Sequence, residues 1–259
     1  MITSIQNTKV KRVCALQQKQ KERKREGLFV VEGKKIMEET PIELIEEVFV
    51  TEVFFKENKL YLDECSFKSL EFVTDKVLLH MSTLVTPQGI IGVIQQRTTQ
   101  LEDIDFRNQP LLIALDNIQD PGNIGTIIRT ADAVNAQGVI ISAGSVDIYN
   151  PKVVRATMGS IYRVPIIIEA ELGEALKLLI NKGVKLYAAH LKGTQYYYSM
   201  NYKESACFLI GNEGQGLSEE IAALASSYIK IPMLGKAESL NAAVAAGILM
   251  YEAVRQRQK

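Results

Sequence analysis

The chain of 259 residues sets 30 basic against 30 acidic residues, with 47% hydrophobic and 23% charged content. Those are the proportions of an ordinary soluble protein with room for one or two cores, and zero net charge removes any global attraction to nucleic acid. Three scattered cysteines (Cys14, Cys65, Cys207) without a C-x-x-C, and two distant histidines (His80, His190), argue against a metal site or a disulfide framework and toward a reducing compartment. No signal-peptide pattern opens the chain and no apolar run reaches about 18 residues, which speaks against a membrane association and for the cytoplasm.

In chain order, residues 8–26 read as a polar helix. Residues 1–26 carry eight cations (Lys9, Lys11, Arg12, Lys19, Lys21, Arg23, Lys24, Arg25) against Glu22 and Glu26, and residues 38–75 carry eleven acids against three lysines. A basic arm ahead of an acidic segment fits a phosphate-contacting element or a solvated helix face. A short strand follows at Leu28–Val31, closed by Glu32-Gly33, then a helix over Lys34–Thr40 before Pro41. Further strands are expected at Val48–Phe55, Phe72–Thr74 and Gly89–Ile94. Short strands alternating with short helices predict a small α/β domain over residues 1–96. The polar stretch 97–109 is the linker candidate.

From residue 110 to 259 the alternation is more regular. Apolar runs at Leu111–Leu115, Val139–Ser142, Val164–Ile168, Lys185–Leu191, Cys207–Ile210 and Tyr228–Ile231 are separated by helical patterns, including Ala170–Asn181 and Ser218–Ala225. The last helix, Leu240–Arg257, begins with small residues. Near-continuous apolar strands with intervening helices predict a parallel sheet covered on both faces. Ligands bind such sheets beyond the carboxyl ends of the strands, and three loops stand there.

The first loop is Asp116-Asn117-Ile118-Gln119-Asp120-Pro121-Gly122-Asn123, leading into a helix with Ile124, Ile127, Ile128 and Ala131 at helical spacing. Asn123 is the expected N-cap, and Arg129 falls in the second turn. Backbone N–H groups and a cation at one crevice suit an anionic ligand, although an ordinary turn with a solvated arginine has the same appearance. The second loop is Gly211-Asn212-Glu213-Gly214-Gln215-Gly216-Leu217. Its glycines allow close backbone approach, but their order is not the dinucleotide fingerprint G-x-G-x-x-G. The third is Ile231-Pro232-Met233-Leu234-Gly235-Lys236-Ala237-Glu238-Ser239-Leu240-Asn241.

Together, in order, spacing and strand context, the three loops resemble the motifs of the SpoU (TrmH-like) family of RNA 2′-O-ribose methyltransferases, of the SPOUT class, over residues 110–259. The front portion, with Phe29-Val30-Val31-Glu32-Gly33 and Thr86-Pro87-Gln88-Gly89, resembles an L30e-type substrate-binding domain. The resemblance implies a C-terminal SPOUT-type parallel sheet flanked by helices and tied in a trefoil knot, an exception to unknotted chain paths. It implies S-adenosylmethionine as cofactor and a homodimer that completes the active site. By position, Gly211, Ile231 and Leu240 would hold the adenosine, bordered by His190, Leu191, Asn212, Gly216 and Met233. Asn123, Arg129, Glu213, Ser239 and Asn241 would form the catalytic cluster, with Glu213 orienting Arg129. Ala243 stands where some members have a serine, which bears on substrate subtype.

An arginine rarely deprotonates in a protein, so Arg129 is expected to clamp an RNA phosphate and stabilise a developing alkoxide. The implied activity is S-adenosylmethionine-dependent 2′-O-methylation of structured RNA. A separate front domain favours ribosomal over transfer RNA as the partner. Two rivals are a non-catalytic RNA-binding protein of the same fold, against which the five polar residues together speak, and a nicotinamide-dependent oxidoreductase, which the glycine order disfavours.

Overall fold

Short apolar strands and the helices between them form two separately packed units in this computed structural model, which describes residues 1–191 and 193–258. Lys259, the end of the expected C-terminal domain, lies outside the described residues, as does Lys192 within it. The first unit comprises residues 1–97 and 147–162, the second residues 98–146 and 163–259.

The first unit opens with two helices where one was expected. α1 (Thr8–Gln18) is capped by the Asn7 side chain, α2 (Gln20–Glu26) ends at the left-handed Gly27, and Lys19 between them is extended. The break lets Val10, Val13 and Leu16 bury against the sheet while the second helix takes its own direction. Then follow β1 (Leu28–Glu32), α3 (Lys34–Glu39), β2 (Ile45–Val50), α4 (Glu52–Glu57), α5 (Lys59–Glu64), β3 (Leu70–Phe72), α6 (Asp75–Met81) and β4 (Ile90–Gln95). The sheet runs β1-β4-β2-β3, with β4 antiparallel to both neighbours and β3 parallel to β2. The strand expected across Val48–Phe55 stops at Val50. Thr51 accepts a hydrogen bond from the Phe54 amide and starts α4, so the cap overrides the strand preference of Val53-Phe54-Phe55. Thr74 likewise caps α6 rather than extending β3.

The second unit contains β5 (Leu111–Asp116), α7 (Pro121–Ala133) and β6 (Gly138–Ser142). After α8 (Pro151–Thr157), which packs in the first unit, come β7 (Ile166–Glu169), α9 (Leu172–Asn181), β8 (Lys185–Ala189), β9 (Gln195–Tyr196), β10 (Ala206–Gly211), α10 (Glu219–Ala223), β11 (Ser227–Lys230) and α11 (Ala242–Arg257). All seven strands are parallel, in the order β7-β6-β5-β10-β8-β11-β9. One face packs under α9 and α10 through Leu176, Leu179, Leu186, Leu209 and Ile221, while α7 and α11 pack together and α11 also lies against β10 and β5. The polar stretch read as a linker is ordered from residue 98 within this unit: Leu101 and Ile104, three apart, are buried in its core.

The segment 147–162, inside the expected C-terminal domain, packs with the first unit instead. The Tyr149 ring packs at a tilt against Phe29, with centroids 4.8 Å apart, and donates its hydroxyl to the Arg97 carbonyl, and Thr40 donates to the Tyr162 hydroxyl. Asp147 pairs with Arg23 at 2.7 Å, and Arg23 also donates to the Leu16 and Gln17 carbonyls. Arg23 is therefore a buried structural cation rather than part of a phosphate-contacting arm. Of the other cations in residues 1–26, Lys9 pairs with Glu47 and Glu71, Arg12 with Glu26, and Arg25 with Glu22 and Glu26. Lys11, Lys19, Lys21 and Lys24 are exposed and pair with no acid among the described residues.

Removing one partner of a buried ion pair leaves an uncompensated charge, a cost of about 3 to 5 kcal/mol. Arg23→Ala should lower the unfolding free energy of the full chain, measured by urea denaturation, by an amount in that range, whereas Lys24→Ala should stay within about 0.5 kcal/mol of the parent. Equal, small shifts in both variants would show the Arg23–Asp147 pair to be energetically idle.

Candidate functional site

The carboxyl ends of β5, β8, β10 and β11 lie along one edge of the parallel sheet, and the loops that leave them meet there. Between the loops after β8, β10 and β11 and the start of α11 lies a cavity of about 1000 Å³. His190, Leu191, Gly211, Asn212, Gly216, Ile231, Met233 and Leu240 all line it, as do Glu213, Ser239 and Asn241. Much of the wall is apolar (Ile210, Leu217, Pro232, Leu249), and Glu213 and Glu238 add carboxylates. A concave, mostly apolar chamber with a few convergent polar groups is the usual form of a small-molecule site, and this one has the size for a nucleoside-bearing cofactor.

The glycine-rich loop folds on itself. Asn212 and Gly216 exchange two backbone hydrogen bonds at 2.9 Å, and the Asn212 side-chain oxygen accepts from the Gly214 and Gln215 amides. A Cβ on Gly211 would run into the Gly216 carbonyl and the Leu217 nitrogen, and Gly216 has a φ of +74°. Two of the three glycines thus have a mechanical reason in the loop itself.

The first loop is fastened to the second by a residue at the end of β5. Asp116, 4% exposed, accepts from the Ser218 amide and hydroxyl at 2.9 and 2.7 Å. Asn212 donates to the Asn117 carbonyl, while Ser142 and Ser145 accept from the Asn117 and Ile118 amides. Sequence reading did not assign Asp116, Ser142 or Ser145. An acid closing an apolar strand was the available signal.

Asp120, not Asn123, is the N-cap of α7: its side chain accepts from the Asn123 amide at 2.8 Å, with Pro121 in the first helical position. The cap leaves the Asn123 side chain available. Its amide nitrogen donates to Glu213 at 2.8 Å and its oxygen accepts from Asn241 at 2.8 Å. Asn241 in turn caps α11, accepting from the Ala243 and Val244 amides. The orientation of both amides is dictated by this order: helix N–H groups take the Asn241 oxygen, so its nitrogen must face Asn123, whose own nitrogen must face a carboxylate. Glu213 also accepts from the Gln119 and Asp120 backbone amides, each at 3.1 Å. The anion that the α7 N-terminus holds is therefore the chain's own Glu213, rather than a ligand. Partial burial works against its charge, and the bonds from Asn123 and the two backbone amides outweigh it, holding the carboxyl below its ordinary value.

Arg129 does not join this cluster. It is the ninth residue of α7, in the third turn, exposed, and bonded to no acid among the described residues. Six residues of helix separate it from Asn123 by about 9 Å of rise and roughly 240° of rotation, so both side chains cannot point to one spot. It shares an exposed stripe with Gly122 and Thr126. Within this chain Glu213 is bonded to Gln119, Asp120 and Asn123 rather than to the Arg129 it was expected to orient. Ser239 stands exposed in the cavity wall.

A carboxyl depressed by native hydrogen bonds adds stability that is complete above its unfolded value, about 4.3, and is lost as pH falls through the folded value. Glu213→Gln should therefore melt below the parent by a constant gap from about pH 5.5 to 8, and the gap should close only below about pH 4. Thermal melts by circular dichroism across that range measure it. A gap that changed steadily between about pH 6 and 8 would assign the effect to another group.

Known proteins resemble this chain over nearly its whole length. The model of the SpoU rRNA methylase family matches residues 110–251, and that of the MRM3-like substrate binding domain matches residues 7–92. The chain is 33% identical over 251 residues to the 23S rRNA (guanosine(2553)-2′-O)-methyltransferase RlmP of Bacillus subtilis, covering 96% of this chain and 97% of that one. The structure is similar to the AdoMet-bound rRNA methyltransferase of Sinorhizobium meliloti (TM-score 0.85, 33% identity, 100% of this chain and 98% of that one). It is also similar to the SpoU methyltransferase AviRb of Streptomyces viridochromogenes in complex with AdoMet (TM-score 0.87, 29% identity, 97% and 99%). With one family model spanning more than half its length and a relative matched nearly end to end, the chain belongs to the SpoU rRNA methylase family.

Proposed function

We propose that the chain transfers a methyl group from S-adenosylmethionine to a ribose 2′-hydroxyl of structured RNA, in ribosomal rather than transfer RNA. The carrying observation is the convergence of the loops after β8, β10 and β11 on one cavity, whose wall residues Glu213 and Asn241 are joined through the Asn123 amide of the loop after β5. Membership of the SpoU family and similarity to a 23S rRNA methyltransferase support the RNA and the cofactor. The first unit, which contains the residues matched to a substrate-binding domain, holds the RNA, and Lys11, Lys19, Lys21 and Lys24 offer it uncommitted charge. We place the enzyme in the cytoplasm, and we read the path of the second unit as knotted. The insertion of β10 between β5 and β8, with α11 returning from β11 onto β10 and β5, supports that path.

The cofactor supplies an activated methyl group on a sulfonium. Gly211, Ile231 and Leu240 hold the adenosine, with His190, Leu191, Asn212, Gly216 and Met233 around it. Glu213 and Glu238 place negative charge in the wall, which suits a cationic ligand. Asn123 and Asn241, with their amides fixed in direction, orient the ribose together with Ser239. Arg129 clamps an RNA phosphate beside the reacting oxygen and stabilises the charge that develops there.

For Arg129 to do so, a second copy must complete the site. We infer a homodimer in which the Arg129 of one protomer serves the cavity of its partner. Its exposed stripe on α7 and the exposed Val244 and Tyr251 of the adjoining α11, 51% and 53% accessible, support that interface. A closed two-fold pair is the commonest oligomer.

The reading is tested by labelled methyl transfer to an unmodified 23S rRNA transcript and to transfer RNA, followed by mapping of the modified ribose. Incorporation into neither overturns it. Light scattering of the full chain should give twice the monomer mass, and a fully active monomer would remove the interface. Arg129→Lys should lose about 100-fold or more in single-turnover transfer while binding S-adenosylmethionine as the parent does, because an ammonium lacks the planar pair of donors. Near-parental turnover in that variant would make Arg129 a bystander.

A further inference from the structure

The loop between β8 and β10 carries three consecutive tyrosines, Tyr196, Tyr197 and Tyr198, to which nothing above gives a task. Core packing does not account for them. Tyr196 and Tyr198 are 42% and 50% exposed, whereas Tyr202 of the same loop is fully buried and donates its hydroxyl to the Tyr197 carbonyl. Yet the exposed pair is ordered. The two rings lie within 8° of parallel with centroids 5.3 Å apart, and Tyr197 supports Tyr198 edge-on at 5.2 Å.

A cation completes the arrangement. Tyr196 lies in β9, in register with Lys230 of β11, and the Lys230 ammonium sits 5.1 Å from the centroid of the Tyr196 ring. Among the described residues Lys230 has no carboxylate partner, and neither has Lys203, a few residues beyond the tyrosines. Tyr196 lines the cavity and Tyr198 does not, so the stack begins at the cavity rim and leads outward.

Two parallel, accessible rings beside an unneutralised ammonium match a flat π-system joined to a phosphate, which is the chemistry of an unpaired nucleotide. Tyr198 stands outside the cavity lining, so a ligand confined to the cavity would leave it without a role. Resting on the RNA methyltransferase reading, we propose that Tyr196 and Tyr198 form a stacking platform for an unpaired RNA base flanking the methylated nucleotide. Lys230 takes the adjoining phosphate. The platform fixes which unpaired segment of the RNA is presented to the cavity.

The chain has no tryptophan, so Tyr198→Trp in the full-length protein installs a single reporter on the platform. Its emission should be quenched saturably by hexaadenylate, and an absence of quenching would overturn the proposal. Tyr198→Leu keeps apolar bulk and loses the stack. It should raise the KM for the transcript about 5- to 100-fold, with kcat and S-adenosylmethionine affinity within about twofold of the parent. Lys230→Gln should weaken hexaadenylate binding and reduce its salt slope by about one. An unchanged KM in Tyr198→Leu overturns the proposal. So does a parallel loss of cofactor affinity, which would make the ring part of the cofactor wall, or a fall from dimer to monomer, which would make it an interface between copies. A parent that methylates no RNA defeats the functional reading before any tyrosine is changed, so the two failures are told apart.

Discussion

The ionised carboxylate of Glu213 is the fixed point of the second unit's polar edge. It accepts three hydrogen bonds, from the backbone of Gln119 and Asp120 and from the Asn123 side chain, all ahead of or within the first turn of α7. Because a carboxylate only accepts, Asn123 must present its nitrogen to it and its oxygen to Asn241. The direction of hydrogen bonding is thereby set from β10 through α7 to the cap of α11. Charge-assisted bonds are the stronger kind, and a chain of them anchored by a charge at one end and helix amides at the other has one satisfied arrangement.

The sheet makes this convergence possible. β10 sits between β5 and β8, so loops centred about residues 120, 214 and 236 share one edge despite their separation along the chain. The buried Asp116 then pins the loop after β10 to the end of β5 through Ser218. Backbone economy matters as well: Gly211 is needed because its own loop passes where a Cβ would stand. The cavity is therefore bounded by loops that brace one another, which is the pre-organisation that positioning chemistry demands.

The sheet strands of the second unit were legible because residues buried on both faces leave continuous apolar runs, and β5, β6 and β10 begin and end within a residue or two of their expected positions. The three loops were legible because each lies between such a strand and a helix. What escaped was decided by single polar atoms. One cap, Thr51, turned an aromatic strand pattern into a helix, and another, Asp120, moved the start of α7 and with it the turn on which Arg129 lies. Residues that share a motif along the chain need not share a place in space: Asn123 and Arg129, six apart, face different ways on one helix. The buried Arg23 was indistinguishable by charge from the solvated lysines around it, since its partner Asp147 lies 124 residues away.

That distance has a consequence for how the chain is made. Residues 147–162 supply Tyr149, Val153, Val154 and Tyr162 to the packing of a unit whose other residues end at 97. The ribosome must add about 65 further residues, roughly 3 to 13 s of synthesis, before the first unit can close over Phe29 and neutralise Arg23. During that interval β5, α7 and β6 emerge, so the second unit is begun before the first is finished. The two halves are thus interleaved in time as well as in sequence. An exchange of the front domain at a single crossover near residue 97 would therefore leave Arg23 without the acid, and Phe29 without the ring, that residues 147–162 of this chain supply.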